Sequence, residues 1–100
     1  MQDKYQHYEG KIKKPDMTIY SLTYCGVCKE ARDFLNEKGY TFTYIELDTL
    51  PPHERFGLKR TINPENQKDM LYPVLEIEGQ DRLYGYNPDV WLDKIGKYTG

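Results

Sequence analysis

Cysteine is scarce in this chain: there are two among 100 residues, Cys25 and Cys28, which rules out a small scaffold stapled by several disulfides. Histidine is equally scarce, and neither His7 nor His53 stands at a ligand spacing from the cysteines or from the other histidine. One chain alone therefore does not offer the four ligands of a structural zinc site. No apolar run approaches the roughly 18 residues of a membrane span. The opening stretch MQDKYQHYEGKIKKPD also lacks the continuous apolar core of a secretory signal. Nor is there an excess of positive charge: 14 Lys and Arg are intermixed with 16 Asp and Glu, for a net charge of −2, which argues against a nucleic-acid or membrane-surface partner. No internal repeat or low-complexity segment is present. What is left is a single small domain, expected in the cytoplasm and needing no more than a monomer.

Residues 1–14 are polar and lysine-rich without clean periodicity. They read as a flexible N-terminal arm with room for one short edge segment, ahead of a domain spanning 15–100. Met17-Thr18-Ile19-Tyr20-Ser21-Leu22 is β-branched and aromatic and predicts a buried strand. Val27, Ala31, Phe34 and Leu35 then fall on one helical face, with Gly39 as the stop. YTFTYIEL alternates with a period of two and predicts a second strand, parallel to the first because a helix crosses between them. Pro51-Pro52 opens a short helix carrying Phe56, Leu58 and Ile62. YPVLEI and RLYGY, joined by EGQD, predict an antiparallel hairpin. Asn87-Pro88 reads as an N-cap and first helical residue, followed by Val90, Trp91, Ile95 and Tyr98 along a last helix. The order is β-α-β-α-β-β-α, an α/β domain with a four-stranded mixed sheet between helices.

The two cysteines lie in CGVC, at the strand-to-helix junction. Cys28 shares a helical stripe with Ala31 and Leu35, so it should face inward while Cys25 projects at the helix tip. Free N–H groups and the helix dipole favour a thiolate at the tip. In such motifs the thiol pKa falls from about 8.5 into a range of roughly 3.5 to 7.5. Gly26 and Val27 carry no charge, leaving the helix terminus as the main source of the effect, with Lys29 and Arg32 adding a little. On this reading Cys25 attacks and Cys28 resolves. Two alternatives stay open: unreactive buried sulfurs, and a metal or iron–sulfur cluster held through cysteines of two chains.

Three stretches, IYSLTYCGVCKEARDFL, YPVLEI and LYGYNPD, taken in this order, resemble the glutaredoxin family of the thioredoxin-like superfamily. The resemblance implies a cis peptide bond between Tyr72 and Pro73, opposite Cys25, with the Tyr72 backbone available to an extended substrate. It also implies a set of substrate contacts: Tyr24, Gly26 and Val27 around the first cysteine, Lys59 and Arg60 for a carboxylate, Tyr72 and Pro73, and Gly85, Tyr86 and Asn87 at the last helix, where Asn87 with Asp89 would meet an ammonium group. Tyr24 and Tyr72 would frame an apolar rim. Departures from the family pattern are visible as well. Leu22 stands where glutathione-using members commonly have lysine, Leu71-Tyr72-Pro73 replaces Thr-Val-Pro, and Tyr84-Gly85-Tyr86-Asn87 replaces Gly-Gly-x-Asp. GYNPD is similar to the Gly-Phe-Arg-Pro-Asp of glutaredoxin-like redoxins that serve ribonucleotide reductase and are reduced by thioredoxin reductase.

The expected function is dithiol–disulfide exchange on protein or glutathione mixed disulfides through a reversible Cys25–Cys28 bridge. No tightly bound cofactor is expected. Disulfide-containing proteins are the expected substrates, with glutathione or a thioredoxin-reductase-type enzyme as the reductant. The variant reading is a thioredoxin-reductase-dependent redoxin that hands electrons to ribonucleotide reductase or another protein.

Overall fold

The computed structural model describes residues 5–99. Strands β1 (Tyr5–Tyr8), β2 (Met17–Ser21), β3 (Phe42–Glu46), β4 (Val74–Ile77) and β5 (Asp81–Tyr84) are joined with helices α1 (Gly26–Glu37), α2 (Pro52–Ile62) and α3 (Pro88–Thr99), and a 3-10 turn covers Leu47–Thr49. The sheet runs β1-β3-β2-β4-β5. β2 and β3 are parallel, as a crossover helix requires, and the other pairings are antiparallel.

Alternation along the strands sorts the apolar side chains onto two faces. On one, Met17, Ile19, Phe42, Tyr44, Leu75 and Ile77 pack against the stripe Cys28, Ala31 and Leu35 of α1 and against Trp91 and Ile95 of α3. On the other, Tyr20, Ile45 and Val74 pack against Leu47, Leu50 and Ile62, the last residue of α2. The helices therefore cover both faces of the sheet, and the β2–α1 junction carrying CGVC lies at its centre.

The sheet has five strands, not four, and the additional one comes from the segment read as an arm. β1 pairs with β3 from Tyr5↔Ile45 to Tyr8↔Phe42, and the Tyr8 ring stacks on Phe42 with centroids 4.9 Å apart. The chain then lies against the turn after α1. The Gly10 N–H donates to Thr41 Oγ1 at 2.9 Å, the Ile12 N–H to the Gly39 carbonyl at 2.9 Å, and the Thr41 N–H to the Ile12 carbonyl at 2.9 Å. Residues 5–14 are thus part of the domain, whereas residues 1–4 of the expected arm lie outside the described residues. Four strand residues followed by glycine and lysines carry too short a periodic signal for a strand to be read. Their order comes from non-local pairing.

Gly10 is fixed by this contact, because a Cβ there would run into the backbone of Gly39 and stand 2.7 Å from the Tyr40 carbonyl oxygen. Backbone atoms cannot move aside as a flexible side chain does. Gly10→Ala is expected to cost about 1–3 kcal/mol, the range for overpacking a tight contact. It should be seen as a lower urea midpoint at unchanged slope.

Candidate active site

β2 ends at Ser21 and the chain turns from Leu22 to Cys25, closed by a hydrogen bond from the Cys25 N–H to the Leu22 carbonyl at 3.2 Å. Cys25 is the N-cap of α1: its backbone is extended, and its sulfur accepts the Cys28 N–H at 3.2 Å. Most N-caps offer a side-chain oxygen at this place; here one of the free donors of the first turn, the Cys28 N–H, meets sulfur. No acidic residue occupies the first turn to oppose a negative charge there. Cys25 is partly exposed while Cys28 is fully buried, and their sulfurs stand at near-bonding distance across a Cα–Cα separation of 5.2 Å.

Around this pair, Tyr24 is 78% exposed, and Gly26 and Val27 form the open first turn of α1. The Tyr72–Pro73 bond is cis, as is Lys14–Pro15. Pro73 is buried, and Tyr72 is half-buried against the same core as Cys25. Burial, and to a lesser degree the nearby Tyr24 hydroxyl, raise the pKa of Tyr72. Tyr72 also lines a cleft of about 690 Å³ that holds Lys59 and Arg60 from the last turn of α2, together with Phe56, Lys68 and Met70. Cys25 is not among the lining residues of this cleft.

The third predicted group is tied into the fold. The Gly85 N–H donates to the Pro73 carbonyl at 2.9 Å, and the Gly85 carbonyl accepts the Trp91 indole N–H at 3.1 Å. Its φ of +84° is one that glycine adopts at little cost. The Tyr86 ring meets Phe34 and Trp91 edge-on, at 5.7 and 5.1 Å. Asn87 caps α3, its side-chain oxygen accepting from Val90 N at 3.3 Å and its carbonyl from Trp91 N at 2.9 Å. Gly85 thus fastens the Pro73 turn to the start of α3.

Sequence reading did not single out Lys68, which lies in an aperiodic connection and reaches the cleft only through the fold. The described residues contain no group of three or more His, Cys, Asp or Glu side chains placed to hold a metal ion. Among them no helix is long and apolar enough to cross a membrane.

Comparison with known proteins places this arrangement. The family model described as Glutaredoxin matches residues 17–81, from the start of β2 to the start of β5, including both cysteines and Pro73. The chain belongs to the glutaredoxin family. No curated protein matches it. Among solved structures, the glutaredoxin from Methanosarcina mazei Go1 superposes with a TM-score of 0.79 at 22% identity, covering 95% of this chain and 90% of that one. Methanosarcina acetivorans methanoredoxin gives a TM-score of 0.75 at 20% identity, over 87% of this chain and 90% of the other. A glutaredoxin, grx-1, from Archaeoglobus fulgidus gives 0.67 at 26% identity, over 81% and 85%. All three share the thioredoxin-like fold of this glutaredoxin. The family match ends at Asp81, so Gly85, Tyr86 and Asn87 lie beyond it.

Proposed function

We propose that this glutaredoxin is a thiol–disulfide oxidoreductase acting on protein or glutathione mixed disulfides in a reducing compartment such as the cytoplasm. The observation that carries the reading is the asymmetry of the pair: a partly exposed Cys25 whose sulfur accepts a helix N–H, and a buried Cys28 within bonding reach of it. The Cys25 thiolate attacks one sulfur of the substrate disulfide. That S–S bond breaks, one substrate thiolate leaves, and a mixed disulfide through Cys25 remains. Cys28, losing its proton, attacks the Cys25 sulfur and expels the second substrate thiolate. Two electrons have passed to the substrate, and the protein holds a Cys25–Cys28 disulfide that two glutathione thiols or a dithiol reductase would reduce again. Tyr24 and Tyr72 flank the sulfur, the Tyr72 backbone pairs with an extended substrate beside Pro73, and Lys59, Arg60 and Lys68 offer charge to a carboxylate. No resident cofactor is needed.

A second reading has thioredoxin reductase as the electron source and a protein such as ribonucleotide reductase as the acceptor. It draws support from Leu22 in place of a lysine and from Gly85 and Asn87, whose hydrogen bonds are spent on the fold.

Trapping tests the roles. Cys28→Ser should accumulate a mixed disulfide through Cys25, identified by mass spectrometry of the non-reduced protein. Trapping through Cys28 in Cys25→Ser would reverse the assignment. Turnover of a small mixed disulfide by Cys28→Ser with glutathione and its reductase supports glutathione as the reductant. Turnover only with thioredoxin reductase, and only with both cysteines, supports the second reading.

A further inference from the structure

The turn that delivers Cys25 is held from two other elements. Thr23 is exposed, yet each of its polar groups has a partner: its N–H donates to Asp48 Oδ1 at 2.9 Å, its hydroxyl donates to Asp48 Oδ2, and its carbonyl accepts from Lys29 Nζ. Asp48 stands in the 3-10 turn after β3, and Lys29 is the α1 residue whose N–H bonds the Cys25 carbonyl at 3.3 Å. The end of β2, the exit of β3 and the first turn of α1 therefore meet on one residue, two positions before the sulfur. Partial burial alone would raise the Asp48 pKa, but the hydrogen bonds from Thr23 and the Lys29 ammonium outweigh it and hold the carboxyl below its usual range.

An N-cap works only when its backbone is extended and its side chain lies over the first free N–H groups. In the turn Leu22-Thr23-Tyr24, Leu22 packs against the core, but Thr23 and Tyr24 are exposed and have little packing of their own to impose that geometry. We propose that Asp48 is a positioning residue for Cys25: by gripping Thr23 with both oxygens it fixes the turn so that the Cys25 sulfur sits on the Cys28 N–H. It acts through Thr23 and not on the sulfur. Asp48 and Lys29 are the charged groups bonded to this turn through Thr23, and its Tyr24 acts electrostatically on Tyr72. The proposal rests on Cys25 being the reactive thiol, but its test reads that thiol directly and needs no disulfide substrate.

The experiment is the pH dependence of Cys25 alkylation by iodoacetamide in a reduced Cys28→Ser background, with Asp48→Ala, Asp48→Asn, Thr23→Ala and the double variant added. Asp48→Ala should move the midpoint upward by about half a pH unit, with a roughly threefold slower reaction below it, since the thiolate is the reacting form. Asp48→Asn keeps an acceptor for the Thr23 N–H and should stay near the parent. The double Thr23→Ala/Asp48→Ala variant should match Asp48→Ala alone, since residues of one network do not add. An unchanged profile in Asp48→Ala overturns the proposal. So does an equal upward shift in Asp48→Asn, which keeps the acceptor, or a downward shift in either variant, which would make loss of the carboxylate charge, and not the grip on Thr23, the operative property. Should Asp48→Ala melt below the assay temperature, Thr23→Val removes one donor at similar volume, and an unmoved midpoint there is equally fatal. A responsive Cys25 in a protein that reduces no disulfide would sink the oxidoreductase reading and leave this one standing.

Discussion

Cys25→Ser is expected to leave no measurable disulfide reduction with any reductant, a loss on the order of 10³-fold or more, the scale seen when an enzyme is deprived of its nucleophile. A serine hydroxyl at the N-cap would accept the same Cys28 N–H as well as sulfur does, so the fold should tolerate the change. What disappears is the chemistry, because an alcohol is not ionised near neutral pH and cannot form a disulfide. Stability and activity should therefore separate: the melting temperature of the reduced variant should stay close to that of the reduced parent. Residual turnover above a few per cent would mean that the buried Cys28 can attack by itself, and the roles drawn from burial would have to be abandoned.

The second large effect is expected at Trp91, the one tryptophan of the chain. It is 1% exposed between the sheet and α3, and its indole N–H holds the Gly85 carbonyl. Trp91→Ala should cost about 3–5 kcal/mol, the range for emptying a buried aromatic site. Circular dichroism is the suitable probe, since the variant has no indole fluorescence. Trp91→Phe would keep much of the packing and lose the hydrogen bond, with a smaller cost of about 1–3 kcal/mol for the unsatisfied Gly85 carbonyl. Because the Gly85 N–H in turn holds the Pro73 carbonyl, disulfide reduction by Trp91→Phe should fall by more than its unfolded fraction explains. Full activity per folded molecule would show that the link from α3 to the Pro73 turn has no bearing on the site.

The elements that could be read from the sequence are those with local signals. Cys28, Ala31 and Leu35 repeat at helical spacing, and all three are buried under α1. The hairpin of β4 and β5 follows from two apolar runs around a glycine turn, and Asn87 before Pro88 gives the cap of α3 that the hydrogen bonds bear out. β1 could not be read in the same way. Tyr5-Gln6-His7-Tyr8 becomes a strand only because Phe42–Ile45, more than thirty residues away, offers an edge and Gly10 fits against the turn at Gly39. The site divides along the same line. CGVC states its geometry in four residues. By contrast, the grip of Asp48 on Thr23 and the arrival of Lys68 in the cleft that Arg60 lines join residues with no mutual spacing to notice. Gly85 and Asn87 are a different case: the resemblance suggested ligand contacts there, while their hydrogen bonds go to the Pro73 turn and to α3.

The N-terminal strap has a consequence of another kind. β3 reads Phe-Thr-Tyr-Ile-Glu, and without β1 its outer backbone N–H and C=O groups would form a bare edge made of strong strand formers. Such an edge is a template for another copy of the same strand. Tyr5–Tyr8 occupy that edge and withhold the β3 backbone from such pairing. A molecule whose strap is loosened at Gly10 is expected to show its damage first as oligomers in light scattering. Its cysteines, beyond β3 at the end of the central strand β2, would still be intact.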